Sequence, residues 1–115
     1  MTDLDRTSSA NGDLGQSTPG WTFLSNHAHV LICIARDPET RLRDIATSVG
    51  ITERAAQRIV SDLVGCGYLT RERVGRRNRY EVHLDLPLRH PLEADAPVGV
   101  LLGALLPIEQ TSVGR

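Results

Sequence analysis

Lysine is absent from this 115-residue chain, and all thirteen of its basic side chains are arginine. We read that as codon usage across a genome rather than as the property of one site. Aromatic residues make up 3% of the chain, so Leu, Ile, Val and Ala must fill whatever core the 40% hydrophobic fraction supports. Cys33 and Cys66 stand far apart and in no metal-ligand spacing. Without a secretory leader, two buried thiols are expected rather than a disulfide or a sensor pair. No apolar run approaches the ~20 residues that a membrane span needs, so a cytoplasmic protein without membrane contact is expected. His27 and His29, two apart on a helix, face different ways and do not make a metal pair. The chain also lacks a Ser/His/Asp or Cys/His arrangement and a glycine-rich phosphate loop. The expectation is a protein that is not an enzyme and uses no cofactor or metal.

The net charge of −1 argues neither for nor against an anionic partner, but its distribution does. Residues 52–84 hold seven arginines (Arg54, Arg58, Arg71, Arg73, Arg76, Arg77, Arg79) against four carboxylates (Glu53, Asp62, Glu72, Glu81). The segments on either side, 1–40 and 85–110, each carry a net −3. A basic middle between acidic ends points to a local anionic partner.

Residues 1–20, rich in Ser, Thr, Gly, Asn and Asp, have almost nothing to bury and are expected to be a disordered tail. Trp21 and Phe23 are expected to anchor the first helix, over about 25–36, which Asp37-Pro38 ends. Its apolar residues spread around the cylinder, so cover on more than one side is expected, from the domain or from a second subunit. Thr40–Leu42 is short enough for a single extended rung. A second helix follows, with Leu42, Ile45, Ala46 and Val49 at i, i+3, i+4 and i+7, closed by Gly50.

Thr52 then reads as the cap of a third helix, with Glu53 at the positive end of its dipole. Ala56, Ile59, Val60 and Leu63 form one apolar stripe. The opposite face carries Arg54, Gln57, Arg58 and Ser61, donors of the kind that meet phosphates and base edges. Two short amphipathic helices joined through a glycine are a helix-turn-helix pattern, although a plain helical hairpin would look the same. The next segment tips that balance. Gly65 and Gly67 break the helix, Tyr68–Val74 and Arg79–Leu84 read as paired strands, and Gly75–Asn78 reads as the turn between them. A basic hairpin directly after such a helix is a wing.

Asp85–Ala96 has two prolines and no period, and is expected to be a connection. After Pro97, Val98, Leu101, Leu102, Leu105 and Leu106 recur at helical spacing. So apolar a helix must be covered, either by a second copy or by its own domain.

The run from about Phe23 to Leu84 resembles winged helix-turn-helix transcriptional regulators of the MarR and ArsR type, on LRDIATSVGITERAAQRIVSDLVGCGYLTRERVGRRNRYEVHL, Leu42 to Leu84. The resemblance implies that Thr52, Arg54, Gln57 and Arg58 face the DNA major groove and that Gly75–Asn78 is the wing tip. Arg43–Val49 contains no cysteine, so the metal-sensing form of that family is not implied. The expected fold is mainly α with a small β-hairpin (α+β). Its expected divisions are a tail at 1–20, a winged helix-turn-helix at 21–86, and a linker with an apolar dimerisation helix at 87–115. The expected function is sequence-specific double-stranded DNA binding in transcription regulation. Thr52, Arg54, Gln57, Arg58 and Ser61 would act on the third helix, and Arg71, Arg73, Arg76, Arg77 and Arg79 on the wing. A homodimer is expected through Val30, Cys33, Val98, Leu101, Leu102, Leu105 and Leu106, with room for a small-molecule effector of unspecified kind. The competing reading is a winged helix used only to bind other proteins.

Overall fold

The computed structural model describes residues 20–106, so the expected tail at 1–20 falls almost wholly outside the described residues. The elements run α1 (Asn26–Arg36), α2 (Leu42–Val49), α3 (Glu53–Gly65), β1 (Leu69–Val74), β2 (Arg77–Val82) and α4 (Val98–Leu105). Among the described residues, four helices and one antiparallel hairpin make a mainly α winged helix-turn-helix.

Each end of the central helix pair has a local cause. Gly50 closes α2 with φ +88, a left-handed backbone that costs a side-chain-bearing residue roughly 1–2 kcal/mol. Its N–H and that of Ile51 both donate to the Ala46 carbonyl. Two residues later the Thr52 hydroxyl accepts from the Ala55 N–H at 3.0 Å, which caps α3. The C-terminal stop of α3 is Gly67 (φ +89), not Gly65, which is the last helical residue. Around Gly67 the Tyr68 N–H reaches back to the Leu63 carbonyl, as in a glycine-terminated helix end.

The core lies where α1, α2 and α3 meet the hairpin. Ile34 and Ile45 are fully buried there, with the whole Ala56, Ile59, Val60, Leu63 stripe of α3 and Tyr68, Leu69 and Tyr80 from the hairpin. Trp21 and Phe23 do not join them. They are 70% and 92% exposed and pack edge-on against each other, with ring centroids 4.9 Å apart. The start of α1 is held instead by its Ser25 cap, 3.3 Å from the Ala28 N–H. Cys66 is likewise exposed rather than buried, at the C-cap of α3. Cys33 is half-buried, and desolvation pushes its thiol pKa up against the opposing pull of Arg36 and Ser48.

The hairpin is tighter than its sequence suggests. Val74 pairs with Arg77, so Gly75-Arg76 alone make the turn, and Arg77 and Asn78 belong to β2. Gly75 at φ +64 supplies the backbone that a two-residue turn requires. No strand forms at Thr40–Leu42, because Leu42 already opens α2. The outer edge of β2 is met earlier, where the Tyr80 N–H donates to the Pro38 carbonyl at 2.8 Å.

Helix α4 folds back onto its own chain. Its first two amides need acceptors outside the helix, and they find them in the connection: Val98 N–H donates to Leu86 O and Gly99 N–H to Leu84 O. Val98 and Leu102 are then 3% and 1% exposed within the common core, and Val30 is 0% exposed. These three residues, read from the sequence as subunit contacts, are covered within one chain and offer no surface to a partner. The Gly99–Gly103 spacing also has a different meaning. A Cβ on Gly99 would lie 2.8 Å from the Leu84 carbonyl oxygen, whereas nothing lies within 4 Å of Gly103. Gly99→Ala should therefore displace α4 and lower the unfolding midpoint, by roughly 1–3 kcal/mol of overpacking. Gly103→Ala should hold or raise it, and a thermal melt of both variants checks the contrast.

Candidate nucleic-acid interface

At 3.6 residues per turn, Arg54, Gln57, Arg58 and Ser61 fall within about 100° of one another on α3, opposite the buried stripe. All four are exposed, as is Thr52 at the cap. The Thr52 hydroxyl already accepts from Ala55, but its own proton is still available to donate. Neither Arg54 nor Arg58 is in an ion pair among the described residues. Asp62, the one carboxylate later in the helix, is held by His27 of α1 at 2.8 Å. His29 bonds Asn26 instead, so the two histidines serve different partners.

The pairing register sorts the wing arginines by face. Residues directly opposite across an antiparallel pair share a face. Arg71 lies opposite Tyr80 and Arg73 opposite Asn78, so both share the face that Leu69 and Val82 turn to the helices. Arg77 and Arg79 lie on the other face with Glu72 and Glu81. Arg79 lies opposite Glu72 and also meets Glu39 at 3.7 Å, an exposed pair that salt would screen. The five wing arginines are all exposed, yet they are not equivalent. Arg79 sits among carboxylates, while Arg76 is at the turn itself.

One basic residue was missed in the sequence. Arg41, just before α2, lines a groove with Arg76, Arg77 and Asn78. Reading Thr40–Leu42 as a possible strand hid it, since the groove arises only when the hairpin folds over the start of α2. The arrangement therefore presents two arginines and a glutamine on one helix face, plus a separate groove at the wing lined by three arginines and by Glu39.

Residues 24–73 match the model of the IclR helix-turn-helix domain. The chain is a DNA-binding regulator of transcription. The match covers α1, α2, α3 and nearly all of β1, and ends before the wing tip and α4. It names the IclR type, whereas the sequence resemblance was to the MarR and ArsR types. What these readings share is the helix-turn-helix. No curated protein matches the chain. Among the described residues no helix is long and apolar enough to cross a membrane.

Proposed function

We propose that this regulator reads double-stranded DNA by placing α3 in the major groove, with Arg54, Gln57 and Arg58 at base edges and Thr52 and Ser61 at phosphates. The observation that carries this reading is the single outward face of α3, capped, rigidly backed by the core and, among the described residues, free of carboxylate partners at both arginines. In the same reading the wing follows the backbone or the minor groove through Arg71, Arg73, Arg76 and Arg77, joined by Arg41. Arg79 contributes least, because Glu39 and Glu72 compete for it. The MarR- and ArsR-type likeness enters only as this mode of docking.

One recognition helix offers few contacts, so the regulator acts as a homodimer on two half-sites about 34–36 Å apart. With Val30, Val98 and Leu102 buried, the apolar surface left for that contact is Val100 and Leu105, 62% and 41% exposed, beside Leu101 and Leu106. Cys33 is half-buried and packs against the core.

The wing tests the reading. Arg76→Ala with Arg77→Ala should lower the slope of log K against log salt by ~1–2, because about one condensed counterion is released per neutralised phosphate. Preference among sequences should stay. An unchanged slope together with a vanished preference would assign the wing to minor-groove base reading instead.

A further inference from the structure

We propose that the groove along the outer edge of β2, between the end of α1 and the end of α4, docks a short extended segment of a partner protein in which basic and aliphatic side chains alternate. The inference goes beyond DNA binding and uses a surface to which, among the described residues, α3 contributes nothing.

The strand edge sets the shape of the segment. Tyr80 N–H points away from β1 and donates to Pro38 O, whereas His83 N–H points toward β1 and donates to Tyr68 O. Successive residues of an antiparallel strand alternate in this way, so the N–H and C=O of Val82 face outward. Among the described residues neither has a backbone partner. Pro38 closes the edge on one side, and Leu84 O, held by Gly99 N–H, closes it on the other. Room is left for one added rung, and unpaired edge groups of this kind take a strand from another chain.

The two faces of that rung differ. A strand added beside β2 puts alternate side chains on the Glu81 face and on the Val82 face. By the pairing register Glu81 shares its face with Thr70, Glu72 and Arg79, and all four line the groove, whose volume is about 740 Å³. Asp37 and Glu39 add two more carboxylates from just beyond α1. Arg79 is the one basic residue among the described lining, and Glu39 already meets it at 3.7 Å. Glu72 and Glu81 are exposed and in no ion pair among the described residues. Four carboxylates against one guanidinium favour a cationic partner. On the Val82 side the floor is aliphatic, from Ala35, Leu102 and Leu106, with Leu84 exposed beside it. A segment with basic side chains on one face and aliphatic ones on the other matches both.

The test uses the full chain without DNA, so its failure would leave the DNA reading untouched. A labelled peptide of alternating arginine and valine, RVRVRV, is titrated by fluorescence anisotropy beside EVEVEV and RSRSRS. RVRVRV is expected to saturate at one per chain, EVEVEV not to bind, and RSRSRS to bind several-fold more weakly. Amide hydrogen exchange at Val82 should slow in the complex. Glu72→Gln with Glu81→Gln should weaken RVRVRV roughly tenfold, the size of two exposed ion pairs. Arg79→Gln should hold or tighten it, so the site is tested even if the glutamate variant folds poorly. Equal binding of RSRSRS, unchanged exchange at Val82, or affinity indifferent to both variants would overturn the proposal. So would a parent chain that takes up no peptide and self-associates where the glutamate variant does not, which would give the groove to a second copy.

Discussion

Replacing Arg54 and Arg58 together with alanine is expected to weaken binding to the preferred DNA site by roughly 2–6 kcal/mol, at ~1–3 kcal/mol for each arginine removed from a base edge. Both side chains project from a helix whose other face is buried through Ala56, Ile59, Val60 and Leu63, so truncating them leaves the fold intact. A helical spectrum and melting point like those of the parent protein should confirm that. Random DNA of the same length should be bound with much less change, because its affinity comes from phosphate contacts alone. Equal weakening on both DNAs would mean that these arginines touch only phosphate. Gln57→Ala should relax discrimination at a single base position, with a smaller change in overall affinity.

The second large effect concerns α4. Leu102→Ala is expected to cost about 2–5 kcal/mol of stability, as for other fully buried leucines, since Leu102 is 1% exposed. Leu105→Glu, at a position 41% exposed, should leave monomer stability within about 0.5 kcal/mol of the parent. Urea unfolding at low protein concentration separates the two. If instead Leu102→Ala melted like the parent and only dissociated a dimer, α4 would be a subunit contact rather than part of the core. Leu105→Glu has a second readout, because dimerisation through the exposed side of α4 would be weakened without unfolding. Sedimentation of that variant therefore reports on assembly, while Leu102→Ala reports on the fold.

Much of the fold was legible in the sequence wherever a local rule acts alone. The cap at Thr52, the left-handed Gly50 and the four buried positions of α3 follow from residue type and spacing, and each is found in the structure. The outward face of α3 came with them, since burying one stripe exposes the opposite one. What the sequence misplaced depended on contacts between distant segments. Gly75–Asn78 has the composition of a four-residue turn, yet cross-strand pairing extends β2 to Arg77 and leaves two residues in the turn. Trp21 and Phe23 are apolar enough to anchor α1, but Val98 and Leu102 pack into the core from α4 while both rings stay exposed. That fold-back rests on backbone amides at 98 and 99 reaching carbonyls at 86 and 84, which no periodicity reveals. Arg41 was invisible for the same reason, as its groove is made by a hairpin more than thirty residues further along the chain.

The central claim is that the outward face of α3, with the wing, reads DNA by sequence. The most direct measurement is the equilibrium binding of the full chain to a site selected from random DNA and to a scrambled duplex, across a series of salt concentrations. The account predicts binding to the selected site at least ~10³-fold tighter than to the scrambled one. It also predicts that log K falls linearly with log salt for both duplexes, by about 0.9 for each phosphate neutralised. Indifference between the two duplexes, with affinity that does not change with salt, would contradict it and favour a winged helix that binds other proteins.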